Sequence, residues 1–189
     1  MGRLDEFDWK TTTREEQLER LRGASQAELN RVMREYDWSL YPGAVLGHVA
    51  AKRGIGLSAA LSAFFNGDPW RFNYLPKRDV GEVFRTQASL LDAICQRINA
   101  GFYLPDLAPL CRQDVARLDA WIANQRHDQR DHRRGRWVIE DQALEPLYAA
   151  KRAELEEAVR RETEAVQGAE AQKAAAKRFS LKGLTAQAG

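Results

Sequence analysis

The sequence predicts an all-α protein: a compact multi-helix bundle with a long charged C-terminal helix and a flexible basic tail. Three observations carry that expectation. Leu, Ala, Arg and Glu dominate the 189 residues, and unbranched side chains lose little rotamer freedom in a helix. Long Val/Ile/Thr runs of the kind that build strands are missing. Apolar residues recur at i, i+3, i+4 and i+7 in several segments that begin with capping residues. With 44% hydrophobic and 30% charged residues, the chain has material for a real core. Helix is expected for at least about 60% of it.

Thr13-Arg14-Glu15-Glu16 reads as a capping box opening a short helix, with Leu18 and Leu21 inward and Gly23 as its stop. Ser25-Gln26-Ala27-Glu28 repeats the device, and Leu29, Val32, Met33 and Tyr36 then share one stripe. Asp37 to Pro42 breaks that helix and starts another at Pro42, whose inner face is Val45, Leu46, Val49 and Ala50. Gly54 should stop it, with Ile55 as the hydrophobic contact of a Schellman-type end. Ser58 is expected to cap a helix through Phe65, closed by Asn66-Gly67 and Asp68-Pro69.

Asp79 is expected to cap the clearest helix. Val80, Val83, Phe84, Gln87, Leu91, Ile94, Cys95 and Ile98 keep helical spacing until Gly101. A helix with Val115, Leu118, Trp121 and Ile122 runs into a basic stretch from His127 to Arg136. Trp137-Val138-Ile139 is apolar but too short for a strand. Asp141 should cap a final helix with Pro146 in its first turn and Leu147, Tyr148, Leu155, Val159 and Val166 on one face. Glu156 with Arg160 and Glu157 with Arg161 are i,i+4 pairs in the favourable order. From Gly168 the composition predicts a flexible tail. The expected organisation is thus a helical domain at 1–140, a charged helix at 141–167 and a tail at 168–189.

The formal net charge is +2, with 29 basic against 27 acidic residues, so the overall charge alone implies no polyanionic partner. The two cysteines, Cys95 and Cys111, sit in apolar patterns and read as reduced, buried thiols. The first residues are acidic, with no apolar signal segment, and no stretch reaches membrane-spanning length. The cytoplasm is the expected location.

Tyr36 to Gly67 has a distinctive order. An Asp37-Trp38 pair is followed by Pro42 at the head of an apolar helix, then Leu57-Ser58-Ala59-Ala60-Leu61 and Phe64-Phe65 before Asn66-Gly67. This segment resembles an uncharacterised bacterial domain-of-unknown-function family, number forty-two seventy-four. Its members carry a similar tryptophan-acid start, a proline-led helix and a small-residue helix ending in a phenylalanine-rich turn. The resemblance implies a small helical module and no known chemistry. Ser39-Leu40-Tyr41 stands where the family favours acids, and Lys52-Arg53-Gly54-Ile55 where it favours a His-Pro turn with a cysteine.

Signatures of catalysis are missing. No phosphate-cradling glycine loop, paired-cysteine motif, zinc-protease helix or nucleophile elbow is present. His127, Asp128, Asp131 and His132 form a metal-like cluster, but Arg126, Arg130, Arg133 and Arg134 crowd it with positive charge, and neither metal nor cofactor is expected.

Two segments are candidate binding surfaces. Trp70, Arg71, Phe72, Tyr74, Lys77 and Arg78 mix aromatics and cations in one loop, as contact loops do. Arg112 to Trp137 holds seven arginines against four aspartates. Within it Arg126, Arg130, Arg133, Arg134 and Arg136 suit anions, and Trp137 could stack on a base. Lys173, Lys177, Arg178 and Lys182 make the tail basic. The leading expectation is a non-catalytic module that binds a protein partner. A nucleic-acid accessory using Arg126–Arg136 is the alternative, and an enzyme with a site built around His48 or His127 is the third reading.

Overall fold

The computed structural model describes residues 7–105 and 110–185. Side chains at 150, 151, 155, 166 and from 168 onward lie outside the described set. Seven helices are described: α1 (Arg14–Arg22), α2 (Gln26–Glu35), α3 (Pro42–Ala50), α4 (Leu57–Asn66), α5 (Arg85–Asn99), α6 (Arg112–Arg130) and α7 (Asp141–Thr185). Helix accounts for 68% of the protein, and no strand occurs among the described residues. Their sole β feature is a parallel bridge between Gly56 and Leu104. The fold is all-α, as the composition predicts.

The chain divides into two units, Met1–Leu147 and Tyr148–Gly189. In the first unit the helices pack around α4. Residues Leu57 to Phe65 are buried all round, as expected of a helix without a polar stripe. Their small side chains let neighbouring helices approach, and α2, α5 and α6 all pack on this helix. Phe64 meets Trp121 of α6 edge-on at 5.4 Å and Trp137 at 6.0 Å, an arrangement aromatic rings favour.

Polar groups on α4 fall at i, i+4 and i+8 and lace the helix to its neighbours. Arg34 Nη2 donates to Ser58 Oγ (2.8 Å), and Ser62 donates to buried Asp114 (2.6 Å). Arg117 Nη1 reaches both Asn66 Oδ1 (3.0 Å) and Asp114 Oδ1 (3.2 Å). Ser58 therefore does not cap α4: it is buried inside the helix, and the N-cap position falls on Gly56.

Both capping boxes form, at Thr13–Glu16 and Ser25–Glu28. Tyr36, at the C-cap of α2, donates to Gln17 Oε1 (2.6 Å) and accepts from Tyr41 N (3.2 Å). Gln17 is fully buried and donates to Trp9 O (2.7 Å). Gly54 does not stop α3, which ends at Ala50 with Ala51 as its C-cap; Gly54 has φ +91° in the turn that follows, a value that suits glycine.

Asp79 does not cap α5. It closes a 3₁₀ turn at Lys77–Asp79, a second turn follows at Glu82–Phe84, and α5 begins at Arg85. Gly81, with φ −54° and ψ 145°, is extended and interrupts the run. Val83, placed by the periodicity on the inner face, is consequently exposed.

The segment after α6 gains its structure from amide side chains. Asn73 Oδ1 accepts from Trp137 N (3.1 Å), and Asn73 O accepts from Arg136 N (2.6 Å). Asn99 donates to Val138 O (2.7 Å) and accepts from Glu140 N (3.0 Å). Gln125 donates to Ile139 O (3.0 Å) and accepts from Ile139 N (2.7 Å). Five backbone groups of residues 137–140 are thus met by side-chain amides without a partner strand.

α7 begins at Asp141, places Pro146 inside the helix and continues through Thr185, past the Gly168 break expected from composition. The Ala, Gln and Lys residues there are good helix formers. Within the second unit Arg161 pairs with Glu157 at 3.1 Å, and Arg160 pairs with Glu157 and Glu164. Leu155, Val166 and the basic tail side chains Lys173, Lys177, Arg178 and Lys182 lie outside the described set. No helix among the described residues is long and apolar enough to cross a membrane.

Candidate binding surface

The two segments singled out by composition meet in space. Tyr74 joins them: its hydroxyl donates to Asp128 Oδ2 of α6 (2.7 Å) and accepts from Asn124 Nδ2 (2.6 Å). Arg133 lies over the Tyr74 ring, 4.8 Å from its centroid, in a cation–π arrangement. Trp70 stands edge-on to Trp121 at 4.6 Å. Arg71 covers the Phe84 ring at 4.0 Å.

This packing leaves part of the loop open to solvent. Trp70 is 40% exposed, Tyr74 44% and Leu75 41%. Arg71, Lys77, Arg78, Arg126, Arg130, Arg133 and Arg134 are also exposed. Arg126 approaches Asp141 at 3.8 Å, and Arg133 approaches Asp128 at 3.9 Å. The Arg126–Asp141 pair is exposed on both sides and holds weakly, whereas Asp128 is buried.

Three of the residues expected on the surface belong to the interior. Phe72 and Trp137 are buried core residues, because each fills space beside aromatic neighbours: Phe84 for Phe72 and Phe64 for Trp137. Trp137 cannot stack on a base. Arg136 is only 13% exposed, and Asp92 binds it through Nε (2.9 Å) and Nη2 (2.8 Å). Asp92 also accepts from Trp137 Nε1 at 2.8 Å.

The cysteines divide. Cys95 is buried, and burial, followed by the charges of Asp92 and Glu140, pushes its thiol up to about 12. Cys111 is exposed at the N-cap of α6, where its sulfur accepts from Asp114 N (3.4 Å). Its place in an apolar pattern misled, because the next buried position is Asp114. Desolvation, then Lys52 and Arg22, holds His48 below its ordinary value. His127 Nε2 lies 3.3 Å from Asp131 Oδ2 on the surface. Among the described residues no three His, Cys, Asp or Glu side chains converge as metal ligands would.

Two cavities flank the surface. One of about 280 Å³ is lined by Asn73, Gln125, Asp128, Arg133 and Arg134, among others. The other, of about 420 Å³, is lined by Lys77, Arg78, Arg85, Ser89 and Arg136 with Val80 and Ala88.

Sequence reasoning missed Asn73, Asp92, Asn99, Gln125 and Arg85. The first four are polar residues beside apolar stripes, and a single sequence carries no signal for a partner far along the chain. Arg85 was hidden by the assumption that α5 starts at Asp79.

Comparison of the chain with known protein families, curated proteins and solved structures returns no match. The residues that carry the Tyr36–Gly67 resemblance serve packing and termination. Pro42 opens α3, Leu57 to Phe65 are the buried helix, and Gly67 closes it where a Cβ would meet Trp38 at 2.6 Å.

Proposed function

We propose that the protein is a non-catalytic interaction module that docks an acidic protein segment on the Trp70–Tyr74–Leu75 surface. One observation carries the reading: a rigidly backed aromatic patch is exposed beside Arg71, Arg133 and Arg134. Half-exposed tryptophan and tyrosine next to arginine is the composition of interface anchors. Their inner faces are fixed by Trp121, Asp128 and Asn124, so little conformational entropy is lost on binding. The burial of Trp137 removes the one residue that the nucleic-acid alternative would have stacked on a base within the 126–137 stretch. The same reading takes Tyr36–Gly67 as a helical module of the kind found in the family it resembles.

A photo-crosslinking residue at Leu75 tests the reading in native extract, with one at exposed Glu19 of α1 as control. Capture of one acidic protein at Leu75, lost with Trp70→Ala and with Arg133→Ala/Arg134→Ala, is expected. The absence of any adduct would refute it. So would micromolar, steeply salt-dependent binding of a random oligonucleotide that Arg133→Ala/Arg134→Ala abolishes.

A further inference from the structure

The 420 Å³ cavity beside α5 is a different feature from the docking surface and independent of that reading. Three chain segments build it. Lys77 and Arg78 come from the 3₁₀ turn before α5, Arg85 and Ser89 from the first turns of α5, and Arg136 from the amide-held segment after α6. Four cations and a hydroxyl therefore line one concavity, and no carboxylate lines it.

The nearby acids bind these cations unequally. Arg78 meets Asp79 at 3.6 Å, and Arg85 meets Glu82 at 4.0 Å, both between exposed side chains. Such pairs yield to a ligand that offers a tighter, bidentate acceptor. No ion pair forms at Lys77 among the described residues. Arg136 differs: Asp92 fixes its Nε and Nη2, yet its buried Nη1 has no hydrogen-bond partner among the described residues. Its guanidinium also lies 5.0 Å from the Trp137 ring centroid, so Arg136 lends the lining its charge rather than an accessible donor.

The volume and the charge together choose the ligand class. A cavity of this size falls in the small-molecule range. One carboxylate or sulfate would engage only part of the cationic lining, whereas a phosphate chain offers several acceptor oxygens and charges along its length. Arginine forks suit phosphate oxygens, and Val80 and Ala88 leave an apolar wall for whatever the chain is attached to. We propose that this cavity binds a diphosphate or triphosphate group, free or attached to a small organic moiety.

Calorimetric titration of the full chain tests this with pyrophosphate, tripolyphosphate, sulfate and adenosine diphosphate. Pyrophosphate is expected to bind at least about tenfold more tightly than sulfate. Lys77→Gln/Arg85→Gln should weaken it by at least about tenfold. Both residues are exposed, so the variant keeps its fold, and an unchanged circular dichroism melt verifies that. Arg14→Gln on α1 controls for the loss of a surface charge. Tighter binding of adenosine diphosphate than of pyrophosphate would assign the chain to a nucleotide, and equal binding would assign it to free phosphate chains. Either result supports the site. Equal affinity for sulfate and pyrophosphate, or a double variant that binds as well as the parent, would overturn it.

Discussion

Removing one carboxylate should disconnect the basic segment from the core. Asp92 accepts three hydrogen bonds, two from Arg136 and one from Trp137 Nε1, all between 2.8 and 2.9 Å. In Asp92→Ala the mostly buried guanidinium keeps its charge and loses its counter-ion. Breaking such a pair costs about 3–5 kcal/mol. The stranded indole N–H adds roughly 1–3 kcal/mol if it stays dry. The Asp92 side chain is itself 25% exposed, so water can reach the gap and trim both costs. We expect a net loss of about 3–4 kcal/mol. Urea unfolding followed by tryptophan fluorescence measures it, because all five tryptophans lie in the first unit. Replacing both partners, Asp92→Leu with Arg136→Met, should recover most of the loss, since a well-packed apolar pair avoids the buried charge. A loss below about 1 kcal/mol for the single variant, or a double variant as unstable as the two singles summed, would refute the buried-pair account.

Other expectations follow from the same packing. Leu91 is fully buried on α5, so Leu91→Ala should cost about 2–5 kcal/mol in the same assay. A Cβ on Gly135 would lie 2.4 Å from Asn73 Nδ2. Gly135→Ala must therefore displace the amide that holds Trp137 N, and a loss of roughly 1–3 kcal/mol is expected. Burial pushes the Cys95 thiol from 9.0 and the Tyr103 phenol from 10.0, each up to about 12. Folding thus favours both protonated forms. Their contributions are complete below those ordinary values and are lost as pH rises from 9.0 or 10.0 toward 12. The urea midpoint should fall from about pH 9 upward, and Cys95→Ala should delay the fall until the tyrosine begins to titrate near about pH 10. An unchanged midpoint across that range would contradict the burial of both groups.

Local signals were legible where a short stretch of chain decides the outcome. The capping boxes at Thr13 and Ser25, the Pro42 start and the stop at Gly67 depend on a few neighbouring residues, and each stands as read, whereas α3 ends at Ala50, short of the expected Gly54 stop. Periodicity was weaker evidence. It placed Val83 inward because a helix was assumed to run from Asp79, whereas Gly81 resets the backbone and α5 begins later. Ser58 has the chemistry of a cap, yet Arg34 from α2 gives that hydroxyl a partner, and no local pattern foretells a partner that distant. The candidate site shows the same division. Arginine and aromatic enrichment marked both segments, but whether a given residue faces water depends on contacts across the fold. That is why Phe72 and Trp137 proved to be core.

The amide-held segment explains how one arginine-rich stretch divides between surface and interior. Backbone outside any helix or sheet at 137–140 would strand several N–H and C=O groups if buried alone. Asn73, Asn99 and Gln125 meet those groups from three different elements, so the segment can lie against the core without a sheet. Its register then sorts the basic residues. Arg136, adjacent to the first of these bonds, is drawn inward to Asp92 and the cavity lining. Arg133 and Arg134, which precede it, stay exposed beside Tyr74. Asn73 belongs to the same aromatic loop that presents Tyr74 and Leu75, so the bond that seats Trp137 also sets the loop's height above the core. The exposed aromatic-arginine surface and the basic cavity are therefore two consequences of one frame. Charge alone could not separate them, because each draws on arginines only a few residues apart.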